Sequence, residues 1–367
     1  MSGSVLVDGS GTDEELPVSV PRRGWMVALA GVVLVVVMVL PTADRSTSVP
    51  VARPDVITPD ERWTGLSLPA GRLSDVTGLM TGELVVVGEG PQIWLSESGV
   101  EWEWVSGDAV GGELSAVAAY RRGAVAVGAV DTGSAWVWHS EDGRAWNSRE
   151  LVGEPPLTGV VSGAGALLAW GAETEGGGSR LLRSVDAEEW DPVPIPGRLV
   201  IETAIRRDGD WYVGGSVSGR PALYRTDDLD RWWQVYTADL EAGQAIVEVV
   251  AGDELVITLV ETETGDVARY APSADGGWRK IRALRGVPVA TVDDELLAVG
   301  GDGRVWESDG FRWLDLRLDG HVVAAQGRVA VGYDDSGNGR LWVRDAEVEP
   351  EVRGTAGAGR SRAEEDE

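Results

Sequence analysis

No cysteine occurs among the 367 residues. That excludes a disulfide framework, Cys-ligated zinc, a thiol nucleophile and an Fe–S cluster. Two histidines, His139 and His321, are too few for a catalytic zinc site built on several imidazoles. Basic side chains are also scarce, with 32 set against 60 acidic ones, for a formal charge of −28. Nucleic-acid binding needs clustered Lys and Arg to neutralise phosphates, so that class is set aside. Phenylalanine appears once, whereas tryptophan appears 17 times and glycine 50 times. Apolar residues at 43% against 25% charged predict that most of the chain folds, as one large domain or two ordinary ones.

One segment stands apart. Gly24 to Leu40 contains no charged or strongly polar side chain, and its 17 residues correspond to ~26 Å of helix, the short end of what spans a bilayer. Arg22 and Arg23 precede it, Trp25 takes the place of an interfacial aromatic, and Pro41 closes it. The run predicts a transmembrane α-helix with the N-terminus inside and the bulk of the chain outside the cytoplasm. A cleaved signal peptide is the rival reading. The apolar run exceeds the usual length, and Pro41-Thr42-Ala43 is a poor cleavage site. Residues 1–23 then form a polar cytoplasmic tail, 41–60 a Pro/Ser/Thr-rich stalk, and 349–367 an acidic tail expected to be disordered.

Between the stalk and the tail, from 61 to 348, one phrase recurs. Trp94-Leu-Ser96-Glu-Ser98-Gly99-Val-Glu-Trp102 matches Trp138-His-Ser140-Glu-Asp142-Gly143-Arg-Ala-Trp146. Ser184-Val-Asp186 to Trp190 and Thr226-Asp-Asp228 to Trp232 keep the spacing. Ser273-Ala-Asp275 to Trp278 and Ser308-Asp309-Gly310 to Trp313 vary it by one residue. The phrases begin at 94, 138, 182, 224, 270 and 306, a period near 40. Most come after a short apolar run ending in glycine, such as Leu84–Gly88 or Val125–Gly128, and another apolar stretch precedes that, such as Ala116–Tyr120 or Ile201–Ile205. Runs of this length bounded by Gly and Asp are too short for helices. Four short antiparallel strands per repeat predict a β-propeller blade.

A seventh unit begins at His321 and reaches Asp345 without a last strand. The stretch Glu61 to Pro69 resembles the residues at the end of each phrase and just beyond it, with Trp63 in the place of Trp102 or Trp146. An N-terminal strand that completes the last blade predicts a closed ring, an all-β, seven-bladed propeller of four-stranded antiparallel blades.

The phrase resembles the Asp-box, or BNR repeat, of sialidase-like propellers, in a form one residue shorter, Ser-x-Asp-Gly-x-x-Trp. The resemblance implies that the Ser and Asp close the turn between third and fourth strands, that Gly takes a positive φ, and that Trp packs between blades. Asp142, Asp186, Asp228, Asp275 and Asp309 are then turn residues rather than catalytic or metal-binding ones. Trp102, Trp146, Trp190, Trp232, Trp278 and Trp313 are expected in the packing. Trp104, Trp136, Trp170, Trp211 and Trp233 lie outside the repeated columns, and ordinary packing is favoured there over ligand stacking. The sialidases' Arg-Ile-Pro motif is absent; Val51-Ala-Arg-Pro54 is the nearest phrase, and no arginine maps onto their triad.

The candidate binding residues lie on the loops between second and third strands: Glu89, Asp131, Glu173, Glu175, Glu261, Glu263, Asp266, Asp302, Asp334 and Asp335. Interblade loops add Asp108, Glu113, Glu154, Asp239 and Glu241, and Arg220 and Arg304 are the clearest bases. This arrangement predicts an acidic rim on one face that attracts cationic groups, with general surface acidity for solubility as the alternative. Asp334-Asp-Ser336-Gly-Asn338 has the opening pattern of a Ca²⁺ loop. Its strand flanks, the Asp at 345 and similar loops at Asp131 and Glu173 favour a plain hairpin, so no cofactor is expected. Together these features imply a membrane-anchored binding or scaffolding module for a protein or glycan ligand. A membrane-tethered sialidase-like glycoside hydrolase is the alternative.

Overall fold

The computed structural model describes residues 56–57, 62–105, 112–173, 177–235, 237–251, 255–261, 263–273, 277–292, 295–300, 303–308 and 313–344. The expected membrane helix, stalk and acidic tail lie outside the described residues, apart from Val56–Ile57. Among the described residues no helix is long and apolar enough to cross a membrane.

The strands form seven antiparallel sheets. Blade 1 comprises Leu73–Gly78, Leu84–Gly88, Gln92–Ser96 and Glu103–Val105. Blade 2 runs through Glu113–Tyr120, Gly123–Ala129, Ala135–Ser140 and Trp146–Leu151. Blade 3 has Gly159–Gly163, Ala166–Ala172, Ser179–Ser184 and Asp191–Val193, and blade 4 has Leu199–Arg207, Asp210–Val217, Arg220–Thr226 and Trp233–Val235. Blade 5 is Gln244–Ala251, Leu255–Glu261, Val267–Pro272 and Trp278–Leu284; blade 6 is Val287–Val292, Glu295–Val299, Val305–Ser308 and Trp313–Asp315. Blade 7 takes three strands from the C-terminal side, His321–Gln326, Val329–Tyr333 and Gly339–Arg344, and its fourth, Trp63–Ser67, from the N-terminal side. Trp63 pairs with Arg344 and Ser67 with Arg340, which is the closure the repeat predicted. Val56–Ile57 adds a short fifth strand to that outer edge.

The box turns close as their residue types dictate. Ser140 Oγ accepts the Gly143 N–H at 2.9 Å, and Asp142 accepts the Arg144 and Ala145 N–H groups at 2.7 and 3.1 Å. Trp146 Nε1 donates to the Gly143 carbonyl at 2.9 Å. Ser96/Ser98, Ser184/Asp186 and Thr226/Asp228 repeat the pattern. The backbone N–H and guanidinium of Arg231 hold the Asp228 carboxyl down to about 2. Asp275 and Asp309 lie outside the described residues. The left-handed position is filled by Gly99 and Gly143, but by Ala187 and Leu229 in blades 3 and 4, with φ of 71° and 67°. The reason is packing. A side chain at this position points into the preceding blade: a Cβ on Gly143 would meet Leu95, Leu79 and Val85, and Leu229 joins the core of blade 3. Apolar burial offsets the strain of a non-glycine residue. Each turn is therefore also an interblade contact.

Blade 7 has no such turn, because its third and fourth strands come from opposite ends of the chain. Arg344 stands where the other blades have the box serine, and its guanidinium lies 3.3 Å from Glu307 of blade 6. Arg62 approaches the same carboxylate at 2.6 Å. Glu307 and Arg344 are almost fully buried. An ion cluster replaces the hydrogen-bonded turn at the one seam in the ring.

The glycines ending the second strands have a separate cause. A methyl on Gly88, Gly128, Gly171 or Gly332 would fall about 2 Å from a carbonyl oxygen at or just before the start of the inner strand, 1.9 Å from Glu113 O in the case of Gly128. The inner strands shift register there: between Leu73 and Asp75, Leu114 and Ala116, Ile201 and Thr203, Ile246 and Glu248, Pro288 and Ala290, and Val322 and Ala324. The extra residue pushes backbone toward the neighbouring strand, and in blades 1, 2, 4 and 7 a glycine, without Cβ, stands opposite; Leu259 and Ala298 take that place in blades 5 and 6.

Most of the box and outlying tryptophans are packing residues. Trp63, Trp102, Trp170 and Trp211 are fully buried, and Trp146 nearly so. Trp104 and Trp233 differ, at 45% and 48% exposed on the outer strands of blades 1 and 4.

Candidate site at the loop rim and channel mouth

The loops between second and third strands share one face with the interblade connections. Gly90 N donates to Gly112 O, Gly243 N to Gly219 O and Gly339 N to Ala70 O, each joining such a loop to the adjoining connection. A bridge pairs Glu89 with Glu113 directly. Three of the loops have the same build, and a fourth, at Glu261, is one residue longer. Val130 N bonds Ser134 O, Glu261 N bonds Asp266 O, Gly300 N bonds Arg304 O and Asp334 N bonds Asn338 O, with Gly133, Gly265, Gly303 and Gly337 at positive φ. This is the short hairpin closed by a left-handed glycine.

The predicted site residues divide into two groups. Asp131, Glu173, Glu263, Asp266 and Asp335 are exposed at loop tips. Glu89 accepts the Arg72 N–H at 3.3 Å, and Glu261 accepts the Thr264 hydroxyl at 2.9 Å. Glu175, Asp302 and Asp108 lie outside the described residues. Asp334 is a loop-closing residue: it accepts the Ser336 and Asn338 N–H groups at 2.9 Å, and Asn338 Nδ2 donates to both its oxygens. Those bonds hold its carboxyl below the usual range. They also commit the groups that would have served Ca²⁺, and Ser336 offers its backbone rather than forming part of an ion cage. Among the described residues no three His, Asp or Glu side chains converge as metal ligands.

The rim also carries arginines that no spacing in the sequence places there. Arg180 pairs with Glu154 through two bonds of 2.7 and 2.9 Å. Arg340 lies 3.4 Å from Asp319 and 3.7 Å from Asp334. Arg72 covers the Tyr333 ring at 4.8 Å, which in turn stacks on His321 at 5.1 Å, with Asp335 3.4 Å from the imidazole. Asp239 accepts the Trp278 N–H of the next blade at 2.6 Å. Among the described residues, the unpaired acid of the rim is therefore concentrated on blades 2, 3 and 5, at Asp131, Glu173, Glu261, Glu263 and Asp266.

Inside the rim stand the inner strands, packed against one another from blade 6 through blades 7, 1, 2, 3 and 4 to blade 5. The register shifts leave one extra residue in the inner strands of blades 1, 2, 4, 5, 6 and 7. In blade 4, Leu199, Ile201 and Ala204 pack in the core toward blade 3, whereas Thr203 lies beside Ile246 and Val249 of blade 5, and Ile205 packs in the same direction. The alternation reverses between Ile201 and Thr203, so Glu202 is the extra residue of the bulge, and it is half-buried. The same register shift makes Ser74, Ser115, Val247 and Val323 the extra residues of blades 1, 2, 5 and 7, and Val323 packs against the core shared with blade 1. Thr158 takes the equivalent place in blade 3, between Leu157 and Val160 of one core cluster. Val289 is the extra residue in blade 6 and lies buried in the core shared with blade 7.

Two carboxyls near this mouth are held protonated by their surroundings. Burial pushes Asp75 up to about 7, against the Val117 and Val76 N–H groups that pull it down. Burial alone pushes Glu202 up to about 7. From roughly pH 4, where the unfolded chain loses these protons, up to about 7, the folded protein keeps them. Stability therefore falls as pH rises through that window. Melting temperatures taken from pH 5 to pH 8 should decline, and Glu202→Gln should match the parent at pH 5 while exceeding it at pH 8. A Glu202→Gln variant that loses stability at pH 8 would contradict this assignment.

No protein-family model and no curated protein matches the chain. Among solved structures, YCF48 bound to D1 peptide superposes with a TM-score of 0.56 at 13% identity, over 80% of this chain and 100% of that one. Virginiamycin B lyase from Staphylococcus aureus gives 0.56 at 11%, over 77% and 99%. The propeller domain of Cps50 (Swd1) from Myceliophteria thermophila gives 0.55 at 10%, over 80% and 99%. Similarity at this level of identity concerns architecture, and it agrees with the sheets and register described above: the chain is a seven-bladed β-propeller.

Proposed function

We propose that the chain is a membrane-tethered Asp-box propeller, displayed outside the cytoplasm, whose loop rim binds a basic segment of a partner protein. The observation that carries this reading is the set of exposed acids on one face, Asp131, Glu173, Glu263 and Asp266, with no cation bonded to them among the described residues. Such a rim holds a negative potential and steers cationic partners toward the channel mouth. The YCF48 structure, with a peptide bound, is a precedent for polypeptide recognition on this architecture. Kinship with Asp-box proteins is supported by the Ser-x-Asp turns, and the tether by the Gly24–Leu40 run. The glycoside-hydrolase alternative is less favoured, because paired-carboxylate hydrolysis takes two acids flanking one bond. The chain offers no Arg-Ile-Pro motif and no arginine that maps onto the sialidases' triad beside such a pair.

Full-length protein should sediment with membranes and yield its propeller to external protease. The rim is tested by calorimetric titration with octalysine at increasing salt. Saturable binding that weakens with salt is expected, and neutralising Asp131, Glu173 and Glu263 together should weaken it at least tenfold. Neutralising Glu97, Glu141 and Glu188 on the turn face should matter much less. Equal losses from the two triple variants would mean that general acidity, not the rim, attracts the probe.

A further inference from the structure

Positive charge is concentrated at one place on the circumference of the ring. From Gly276 to Val292 the chain carries no acid, and within that stretch stand Arg279, Lys280, Arg282 and Arg285; Lys280 is the only lysine of the sequence. All but Arg285 belong to Trp278–Leu284, the last strand of the blade 5 sheet, on whose outer edge no described strand pairs. Arg279 and Lys280 are exposed and make no hydrogen bond or ion pair with the described residues. Arg282 lies over the Trp313 ring of blade 6 at 4.9 Å and donates to the Ser308 hydroxyl, and Arg285 lies over Trp306 at 5.4 Å. Neither arrangement uses all five N–H donors of a guanidinium. Apolar residues share this edge. Ile281, the extra residue of a register shift within the strand, is 43% exposed, and Trp233 and Leu314 stand exposed on the outer strands of blades 4 and 6 to either side. Charges on the adjoining elements are engaged: Arg269 pairs with Glu248 at 3.0 Å, Asp315 accepts the Arg317 N–H at 3.0 Å, and Asp239 accepts the Trp278 N–H.

We propose that this edge is a docking surface for an anionic phospholipid bilayer, so that the propeller stands edge-on to the membrane with blade 5 toward the lipid. The choice of occupant rests on the tether of the proposed function. A flexible chain as long as residues 41–61 spans roughly 25 Å, which lets the ring turn this edge to the surface. Cations beside exposed aliphatic and aromatic residues have the composition of an interfacial surface: the cations meet headgroup phosphates while Ile281 enters the boundary. Charges on an edge strand also guard against strand addition, but the bulge at Ile281 already interrupts pairing, and a guard need not be of one sign. That bulge equally disfavours an acidic peptide added as a further strand. The acidity of the remaining chain selects a flat partner. A bilayer meets one edge, and screening over about 8 Å removes the acids of the opposite blades, whereas a long flexible polyanion would meet them too. The strand runs from the turn face to the rim face, so a bilayer laid along it covers neither. The acidic rim stays open to its own partner.

The single lysine reports the contact. Full-length protein in nanodiscs of phosphatidylcholine, or of phosphatidylcholine with about 30% phosphatidylglycerol, is treated with sulfosuccinimidyl acetate, and acetylation of Lys280 is followed by peptide mass spectrometry. Phosphatidylglycerol should slow that acetylation roughly fivefold or more, and high salt should restore the rate. In Arg149→Lys, the amine introduced on the outer strand of blade 2 should react at rates within about twofold of each other in the two discs. In the double variant Arg279→Gln/Arg285→Gln, the protection of Lys280 should fall below about twofold. Lys280 equally reactive in both discs, equal protection of the blade 2 amine, or protection that survives the double variant overturns the docking surface. Soluble polyglutamate that shields Lys280 in neutral discs as well as phosphatidylglycerol does would assign the edge to an acidic polypeptide and overturn the lipid reading. A full-length chain that elutes apart from neutral discs, yet joins phosphatidylglycerol discs with Lys280 shielded, overturns the tether and leaves the docking surface standing.

Discussion

Removal of residues 62–68 should leave a protein with no cooperative unfolding transition. The segment supplies the fourth strand of blade 7, and three of its side chains, Trp63, Leu66 and Leu68, are almost wholly buried. Trp63 packs among Val289, Leu297 and Leu316 of blade 6 and Val322, Ala330 and Trp342 of blade 7, so it joins two blades. Truncating a buried tryptophan costs about 3–5 kcal/mol and each buried leucine about 2–5 kcal/mol. Together these losses approach or exceed the roughly 5–15 kcal/mol that holds a typical domain folded. The deletion also bares the edge of Gly339–Arg344 that this strand covered, inviting intermolecular strand addition. Circular dichroism on heating should show a sloping baseline in place of a sigmoid, and light scattering should rise. Removing residues 349–367, beyond the last described strand, should leave the melting temperature unchanged. A sharp transition near the parent's midpoint in the 62–68 deletion would refute closure by this strand.

Glu307→Ala should cost about 3–5 kcal/mol, the range for breaking a buried ion pair and leaving a charge uncompensated. Its carboxylate sits between Arg344 and Arg62, and it and Arg344 are buried with little water to screen the loss. Glu307→Gln should fall between alanine and the parent, because an amide fills the space without the charge. The effect should persist at high salt, in contrast to the response of an exposed pair such as Arg231 with Asp228. Replacing Glu307 by Leu and Arg344 by Met together should recover part of the loss, as apolar substitutes for buried pairs often do. Urea denaturation of the parent and these variants gives the comparison. A destabilisation under about 1 kcal/mol for Glu307→Ala would show that the cluster does not hold the seam.

The blades, their turns and their closure were legible in the sequence because their causes are local. Ser140, Asp142, Gly143 and Trp146 bond to one another within a single turn, so the pattern repeats wherever the turn does. Trp63 was recognisable because its neighbours reproduce the same column. The site was far less legible. That Glu202 is an extra residue within its strand depends on a single-residue register shift, and alternation read along Leu199–Arg207 gives no sign of it. Arg180, Arg340 and Arg72 reach rim acids or aromatics on other loops, pairings with no local spacing to betray them. Arg344 and Glu307 belong to different repeats, and each departs from its column in a way that has meaning only when the two are seen together. Ala187 and Leu229 occupy a glycine place because the preceding blade covers them, which is again a neighbour's doing.

The strand that closes the ring has a consequence for how the chain is made. Ser67 meets Arg340 after an interval of 273 residues. At a synthesis rate of roughly 5–20 residues per second, that strand waits on the order of 14–55 seconds for its partner. Six blades are complete before the seventh can be, and each finds a finished neighbour on one side as it emerges. Through that interval a hydrophobic strand bearing Trp63 and Leu66 has nothing to pair with except Val56–Ile57, the two residues that fold back on its other edge. That small hairpin needs only local chain, forms early, and leaves the strand half-shielded until the last blade arrives to claim it.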